Sequence, residues 1–274
     1  MTETNQCLTL EIDGPVATIW IRNEGRRNAM TSRMWEQFPE LIAQTGDQST
    51  VMVIVLRGHG DDFSAGADIS ELRTISTSKE SGGASATTKA ETAIASSPKP
   101  TIAAIDGYCI GGGWEIAAAC DIRIATSNAK FAITPSKMGI VYPVSAIKRL
   151  VDIAGPSVAK DLLLTGRMLT ADEALGFGLV TQLAGEGELS EHVVALADQL
   201  SSRSQLSIQA MKNIVDAMTA GSDFESRDSV WRSEVETSGE RETGVQAFLD
   251  RRPAKFGWTG ERFWNHHPEV RVHE

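Results

Sequence analysis

The chain of 274 residues is poor in the features that build a disulfide framework, a metal site or a membrane span. It has only three cysteines, Cys7, Cys109 and Cys120, and no two of them have CxxC spacing. We therefore predict that Cys109 and Cys120, in apolar surroundings, are buried thiols, and that the chain works in a reducing, cytoplasmic setting. No apolar run reaches the ~20 residues of a membrane span, and the polar N-terminus lacks a signal-peptide pattern.

The sequence also lacks an excess of positive charge. Lys and Arg number 26 against 36 Asp and Glu, for a formal net charge of −10. This balance argues against general binding to nucleic acid or to a membrane surface. There is no GxSxG, HExxH, P-loop or GxGxxG motif, so four common catalytic and nucleotide-binding signatures are excluded. We attribute the spacing of His266, His267 and His273 to chance and predict no metal site.

What is present is an alternation of strand and helix patterns. Residues 8–22 predict a β-hairpin, and the apolar run at 51–56 predicts a strand covered on both faces. From about residue 188 the pattern is helical almost to residue 250. The fold class predicted is α/β, with a core over residues 1–200 and a helical region with a tail over residues 201–274.

The most informative stretch spans residues 104–121 and reads A-I-D-G-Y-C-I-G-G-G-W-E-I-A-A-A-C-D. A strand pattern leads into Gly111, Gly112 and Gly113, and a helix is predicted from about Trp114. The first N–H groups of a helix have no internal partners and lie at the positive end of its dipole, so this glycine hinge can offer them to a ligand oxygen. The alternative is a tight turn into a buried helix. Glu115 stands in the first turn.

A second segment of small residues, Ala65-Gly66-Ala67-Asp68, also follows a predicted strand. Open α/β sheets tend to bind ligands at such strand ends. The two segments could each supply one N–H to a single carbonyl oxygen, which would form an oxyanion hole. The alternative is a plain turn into a helix capped by Asp68. The Ser-, Thr-, Gly- and Ala-rich stretch at 76–88 predicts a loop.

Several motifs occur in an order that resembles the enoyl-CoA hydratase/isomerase, or crotonase, superfamily over about residues 8–257. They are R-N-E-G-R-R-N-A-M, F-S-A-G-A-D-I-S-E-L, the glycine hinge, L-L-L-T-G-R-M-L-T-A-D-E-A-L-G-F-G-L-V and G-V-Q-A-F-L-D-R-R. The resemblance implies a core of repeated ββα units and a C-terminal helical region that forms homotrimers or dimers of trimers. It also implies an acyl-CoA thioester as substrate, with coenzyme A entering as part of that substrate and no separate cofactor.

The resemblance further assigns roles to individual residues. The catalytic set is Glu115, Tyr142 and the backbone N–H groups of Ala67 and Gly112. The substrate-binding set is Arg26, Arg27, Ala29, Ala65, Asp68, Ile69, Gly111 and Pro135. Within it, Arg26, Arg27 and Ala29 fall where the family holds the CoA nucleotide, whose phosphates an arginine pair suits. The alternative for the two arginines is a solvated loop.

The chemistry depends on which acid and base groups accompany the oxyanion hole. Glu115 matches one of the two catalytic glutamates of the hydratases, and the position of the second is Pro135, which cannot transfer a proton. The pattern T-P-x-x-x-G-x-x-Y, ending at Tyr142, also resembles the methylmalonyl-CoA decarboxylase branch, although that branch has a histidine at the position of Ala67. Three hypotheses stay open: a hydratase/isomerase using Glu115, a malonyl-type decarboxylase using Tyr142, and a non-catalytic acyl-CoA binder.

Overall fold

The computed structural model describes residues 6–71, 84–267 and 270. Its strands are β1 (Gln6–Asp13), β2 (Val16–Asn23), β3 (Val53–Gly58), β4 (Thr101–Ile105), β5 (Tyr108–Ile110), β6 (Ile122–Thr126), β7 (Lys130–Ala132), β8 (Met168–Thr170) and β9 (Gln182–Ala184). Its α-helices are α1 (Ser32–Gly46), α2 (Ala86–Ala95), α3 (Gly112–Ala119), α4 (Val144–Thr165), α5 (Ala171–Gly176), α6 (Leu189–Ser201), α7 (Gln205–Ala220), α8 (Phe224–Ser238), α9 (Glu240–Leu249) and α10 (Glu261–His266).

The strands divide between two sheets. The main sheet has the order β1-β2-β3-β4-β6-β9, and all its pairs are parallel except the β1–β2 hairpin. The small sheet has the order β5-β7-β8. In each of the consecutive pairs β4–β5 and β6–β7, the first strand belongs to the main sheet and the second to the small sheet. The helix α3 follows the first pair, and α4 follows the second. The predicted α/β fold with repeated ββα units is thus confirmed.

The main sheet is buried on both faces, as the apolar run at 51–56 predicts. Successive side chains of a strand point to opposite faces. On β3, Ile54 and Leu56 therefore join the core beneath α1 to α4, while Val53 and Val55 pack with Leu189 of α6 on the other face. This core holds the two strand ends that carry the site. No helix among the described residues is both long and apolar enough to cross a membrane.

The aromatic C-terminal residues fold back onto the helical region of their own chain. Trp231 of α8 stacks on Phe263 with ring centroids 3.9 Å apart, and Trp258 and Trp264 meet it edge-on. The Trp231 indole N–H donates to Asn213 Oδ1 at 3.0 Å. These contacts form a small core separate from that of the main sheet. The boundary between residues 200 and 201 stays a prediction.

Some predicted boundaries differ from the structure. Most of the loop predicted at 76–88 lies in residues 72–83, outside the described residues. Its last three residues instead form the first turn of α2, which begins at Ala86 because the Ser85 hydroxyl accepts a hydrogen bond from the Thr88 N–H. The helix α3 begins at Gly112, two residues before the predicted start at Trp114.

Candidate active site

The two glycine-containing segments meet at the ends of their strands. Ser64 and Cys109 form a parallel bridge, in which the Ser64 N–H donates to Tyr108 O at 2.8 Å and the Ile110 N–H donates to Ser64 O at 2.9 Å. Backbone pairing therefore holds the start of Ala65–Asp68 directly beside the glycine hinge. This proximity joins residues that lie far apart in sequence.

The amides of Ala67 and Gly112 lie close together. Met30 bridges the first segment by donating to Gly66 O at 2.7 Å and accepting from the Asp68 N–H at 2.8 Å. In such a bridge the N–H of the intervening Ala67 points away from Met30. A Cβ placed on Gly112 would lie 3.2 Å from the Ala67 nitrogen, so the two amides are close neighbours. Neither amide has an acceptor within the described part of the chain.

Glycine is required at the hinge for two separate reasons. Gly111 has a φ of 53° and a ψ of −116°, a conformation that residues with a side chain rarely adopt. A Cβ on Gly112 would lie only 2.8 Å from Cζ2 of Trp35. The hinge is also fixed from the small sheet, since the Gly111 N–H donates to Ala132 O at 2.9 Å. Its sharp turn is thus part of the folded framework.

Glu115 lies in the first turn of α3 and is only 6% exposed. Burial, followed by repulsion from the Glu91 carboxylate, raises the pKa of Glu115 to about 8, and the Arg149 guanidinium only partly offsets this. Among the described residues no hydrogen bond reaches its carboxyl group. The neutral carboxylic acid form of Glu115 is therefore favoured near pH 7, and in this form the group can donate a proton.

Tyr142 closes the site on the side of the hinge. A Cβ built on Gly111 would lie 3.6 Å from the Tyr142 hydroxyl. That hydroxyl is buried without a partner among the described residues. Burial, with repulsion from Glu115 and Glu91, raises the pKa of Tyr142 well above its ordinary value. Pro135 is buried at the start of a 3₁₀ turn, so the structure has no carboxylate there.

Glu91 and Arg149 are site neighbours that the sequence patterns did not reveal. Glu91 lies on the inner face of α2 and is 0% exposed. Arg149 of α4 donates to Glu91 Oε2 at 2.9 Å. Burial raises the pKa of Glu91, although the ion pair with Arg149 opposes this rise. The only local signal is a glutamate on the same helical face as Ile94, and such a pattern does not indicate where the carboxylate points.

The predicted CoA-binding arginines have different surroundings. Arg26 donates to both carboxylate oxygens of Asp68, at 2.9 and 2.8 Å. Burial raises the pKa of Asp68, but hydrogen bonds from Ser70 and the charge of Arg26 outweigh this and leave it below the ordinary value. Arg27 has its guanidinium 4.4 Å from the Tyr108 ring centroid and forms a looser ion pair with Asp62, with Nε 3.9 Å from Oδ2. Both arginine side chains are more than half exposed, and Arg26 is the one with short hydrogen bonds to a carboxylate.

The other predicted binding residues lie in the same two loop segments as the arginines and Asp68. Ala65 donates its N–H to Arg27 O at 2.8 Å, and Ala29 is buried beneath this loop. Ile69 is 70% exposed in a short 3₁₀ turn, where an apolar side chain is available to a ligand. No group of three or more His, Cys, Asp or Glu residues able to hold a metal occurs in the described ranges.

Comparison with known proteins places this site in a family. Residues 11–259 match the enoyl-CoA hydratase/isomerase family. The chain is 31% identical over 256 residues to a crotonyl-CoA hydratase of Syntrophomonas wolfei, covering 91% of this chain and 97% of that protein. It is 31% identical over 268 residues to the peroxisomal Delta(3,5)-Delta(2,4)-dienoyl-CoA isomerase of Arabidopsis thaliana, covering 90% and 96%.

Comparison with solved structures points to the same family. A crystal structure of an enoyl-CoA hydratase/isomerase family member superposes with a TM-score of 0.88 at 38% identity, covering 92% of this chain and 97% of that one. The chain therefore belongs to the enoyl-CoA hydratase/isomerase family. It is an enzyme of this family.

The raised pKa of Glu115 predicts a pH-dependent stability. Between about pH 4.3 and about pH 8 the folded chain retains a proton that the unfolded chain has lost, so Glu115 lowers stability progressively as pH rises through this window. In Glu115→Gln this contribution disappears. We expect the melting temperature of the variant to fall less than that of the wild type between about pH 5.5 and about pH 8.5.

The control is Glu173→Gln. A hydrogen bond from the Thr170 N–H, followed by one from Arg167, lowers the pKa of Glu173, so this carboxylate is ionised in both folded and unfolded chains above about pH 5.5. Its replacement should shift the melting temperature without changing the slope against pH. Parallel pH profiles for wild type and Glu115→Gln would show that Glu115 is not a buried neutral acid.

Proposed function

We propose that the enzyme binds the thioester carbonyl of an enoyl-CoA between the N–H groups of Ala67 and Gly112, and that Glu115 delivers a proton to the α-carbon. The observation that supports this is the convergence of two unpartnered amides beside a buried, neutral carboxylic acid. Hydration and double-bond isomerisation can both pass through an enolate, which needs a donor pair for its oxygen and an acid for its carbon.

The location of the donors suits a developing negative charge. Gly112 is the first residue of α3, where free N–H groups and the helix dipole both favour an anion. The amides are held by backbone pairing and need no rearrangement when the enolate forms. Removing one donor of such a pair typically lowers the rate by about 100- to 1000-fold.

We propose that Arg27 binds a phosphate of the CoA moiety. Both arginines are more than half exposed, but Arg26 donates short hydrogen bonds to Asp68, whereas the ion pair of Arg27 with Asp62 is longer, at 3.9 Å. Ile69 offers an exposed apolar contact for the pantetheine chain. A local cation at this edge allows an acidic protein to bind a polyanionic ligand.

The decarboxylase hypothesis has one observation in its favour, the unpartnered Tyr142 hydroxyl beside the hinge. Two carboxyl groups, Glu115 and Glu91, lie near the same hydroxyl. A malonyl-type substrate would bring a further carboxylate to this buried place, where its charge would be poorly solvated and would be repelled by ionised Glu91. Enoyl substrates lack that charge. For this reason hydration or isomerisation is the function we favour.

We carry forward three broader expectations as proposals. The enzyme forms homotrimers or dimers of trimers through its C-terminal helical region, works in the cytoplasm and serves fatty-acid metabolism. No separate cofactor is required, since proton transfer through an enolate needs only the donor pair, an acid and a base. Sedimentation analysis of the full chain tests the oligomeric state.

The first test is Glu115→Gln assayed against a panel of 2-enoyl-, 3-enoyl- and malonyl-type CoA thioesters by mass spectrometry. We expect the wild type to convert an enoyl thioester, and the variant to lose about 100- to 10,000-fold in kcat, because the amide cannot donate the proton. Unchanged turnover in the variant would remove Glu115 from the mechanism. Carbon dioxide release from the malonyl-type thioester alone would favour the decarboxylase, and calorimetric binding of enoyl-CoA without any turnover would favour the non-catalytic binder.

A second test is Gly112→Ala. The added methyl would lie 2.8 Å from Trp35 and 3.2 Å from the Ala67 nitrogen, so the two donors must move apart. We expect kcat to fall by about 100-fold or more. The matched control is Gly46→Ala at the end of α1, where a Cβ meets nothing within 4 Å. Equal activities of the two variants would contradict the two-donor site.

A third test is Arg27→Ala, with Arg22→Ala on β2 as the control. Loss of a charged hydrogen bond to phosphate should raise KM for crotonyl-CoA about tenfold or more and leave kcat unchanged. The corresponding N-acetylcysteamine thioester lacks the nucleotide, so its KM should not change. Equal effects on both thioesters would mean that Arg27 acts on the fold rather than on the phosphate.

A further inference from the structure

Polar atoms without partners gather on one side of the proposed oxyanion hole. The buried atoms Glu91 Oε1, Tyr142 Oη and Ser145 Oγ have no hydrogen-bond partner among the described residues. Ser145 and Arg149 are four residues apart on α4 and so share one helical face. Buried polar atoms in folded proteins are nearly always paired, so three such atoms in one region indicate a place for a polar reactant.

The packing of three helices brings this cluster to Glu115. The helix α2 packs against α3, which carries Glu115, and α3 packs against α4. The Glu91–Arg149 ion pair spans from α2 to α4 beside them. The charges of Glu91 and Arg149 both act on the pKa of Glu115, in keeping with this packing of the helices. Tyr142 lies between this cluster and Gly111.

One carboxylate oxygen of Glu91 has no hydrogen-bond partner in the described ranges, and this favours a chemical role for the residue over a purely structural one. Burying an ion pair is costly, and a pair kept only for the fold needs its remaining lone pairs satisfied. Arg149 donates to Oε2, while Oε1 accepts no hydrogen bond of ordinary geometry from the residues described although Glu91 is 0% exposed, and the Ser145 hydroxyl lies near enough to the carboxyl group to lower its pKa. An anchored carboxylate with one open oxygen is the form that can accept a proton from water.

Hydration of an enoyl thioester needs such a group. One residue must take a proton from water while another gives a proton to the α-carbon, and Glu115 in its neutral form can only give. We propose that Glu91, anchored by Arg149, is the base that activates the water molecule, and that Glu115 is its partner acid. This inference rests on the proposed function, since it requires the thioester to be held by Ala67 and Gly112.

The proton and electron balance is complete. Glu91 Oε1 takes a proton from water as the water oxygen bonds to the β-carbon. The π electrons move towards the thioester oxygen, which the two amides stabilise, and the α-carbon then takes the proton of Glu115. The product is a 3-hydroxyacyl thioester, with Glu91 protonated and Glu115 ionised. Transfer of one proton from Glu91 to Glu115, directly or through solvent, restores the enzyme.

The charged and titratable groups around Glu91 support this division of roles. Arg149 faces it from α4, Glu115 from α3 and Tyr142 from the segment before α4. Arg149 is hydrogen-bonded to Glu91 but acts on Glu115 only through space, so its charge stabilises the ionised form of Glu91 more than that of Glu115. Two neighbouring carboxyls with unlike surroundings are a common arrangement for an acid and a base.

The test is Glu91→Gln, assayed in two reactions. Hydration of crotonyl-CoA should lose about 100- to 10,000-fold in kcat with little change in KM, because the amide cannot accept the proton of water. Exchange of the α-protons of butyryl-CoA with D₂O at about pH 9, where Glu115 is ionised, needs only Glu115 and the hole. We therefore expect exchange to persist in Glu91→Gln, whereas Glu115→Gln should lose both reactions.

Two further variants separate this role from a structural one. Asp121→Asn breaks the buried pair of Asp121 with Lys212, and it should lower the melting temperature while leaving hydration intact. The double variant Glu91→Gln with Arg149→Met removes the unpaired cation, so it provides a folded protein if the single variant is unstable. We expect the double variant also to lose hydration of crotonyl-CoA and to retain exchange of the α-protons of butyryl-CoA.

The outcomes distinguish the two levels of the proposal. Near-normal hydration by folded Glu91→Gln or by the double variant would overturn the role of Glu91 and leave the proposed function standing. A wild-type enzyme that exchanges α-protons but never hydrates an enoyl thioester would also overturn it. A wild type that does neither would overturn the proposed function itself, and the role of Glu91 with it.

Discussion

The site depends on the close approach of two strand ends that only small residues permit. A Cβ on Gly113 would lie 2.5 Å from Ser64 O, and one on Gly66 would lie 2.7 Å from Ile110 O. Without side chains at these positions the backbones pair directly, and the amides of Ala67 and Gly112 come close together. Their spacing is thus a property of the main chain.

Desolvation is the main influence on the pKa values of the buried carboxyl groups beside the hinge. Burial raises the pKa of Glu115 to about 8, and the neighbouring Glu91 adds to the rise. The single guanidinium of Arg149 is hydrogen-bonded to Glu91 and therefore favours one carboxyl over the other. Two identical side chains thereby have different electrostatic surroundings. The difference arises from a third residue on a helix that contributes no other group to the oxyanion hole.

Much of this architecture could be predicted from local sequence. The hairpin, the doubly covered β3 and the glycine hinge follow from short-range patterns, because periodicity and glycine act within a few residues. The capping box that the structure shows at Thr170 and Glu173 is of the same local kind. Glu91 and Arg149 could not be predicted, since their pairing depends on how α2 and α4 pack. Likewise, no spacing rule indicates that Asp68 forms its short hydrogen bonds with Arg26 rather than with Arg27.

The hydrogen bond from Gly111 to Ala132 has a mechanical consequence. It attaches the hinge to β7, and the chain continues from β7 through Pro135 to Tyr142. The Gly112 amide and the segment that carries Tyr142 are therefore parts of one mechanically connected unit. A substitution along that segment is expected to change the positions of the hinge and of Tyr142 together.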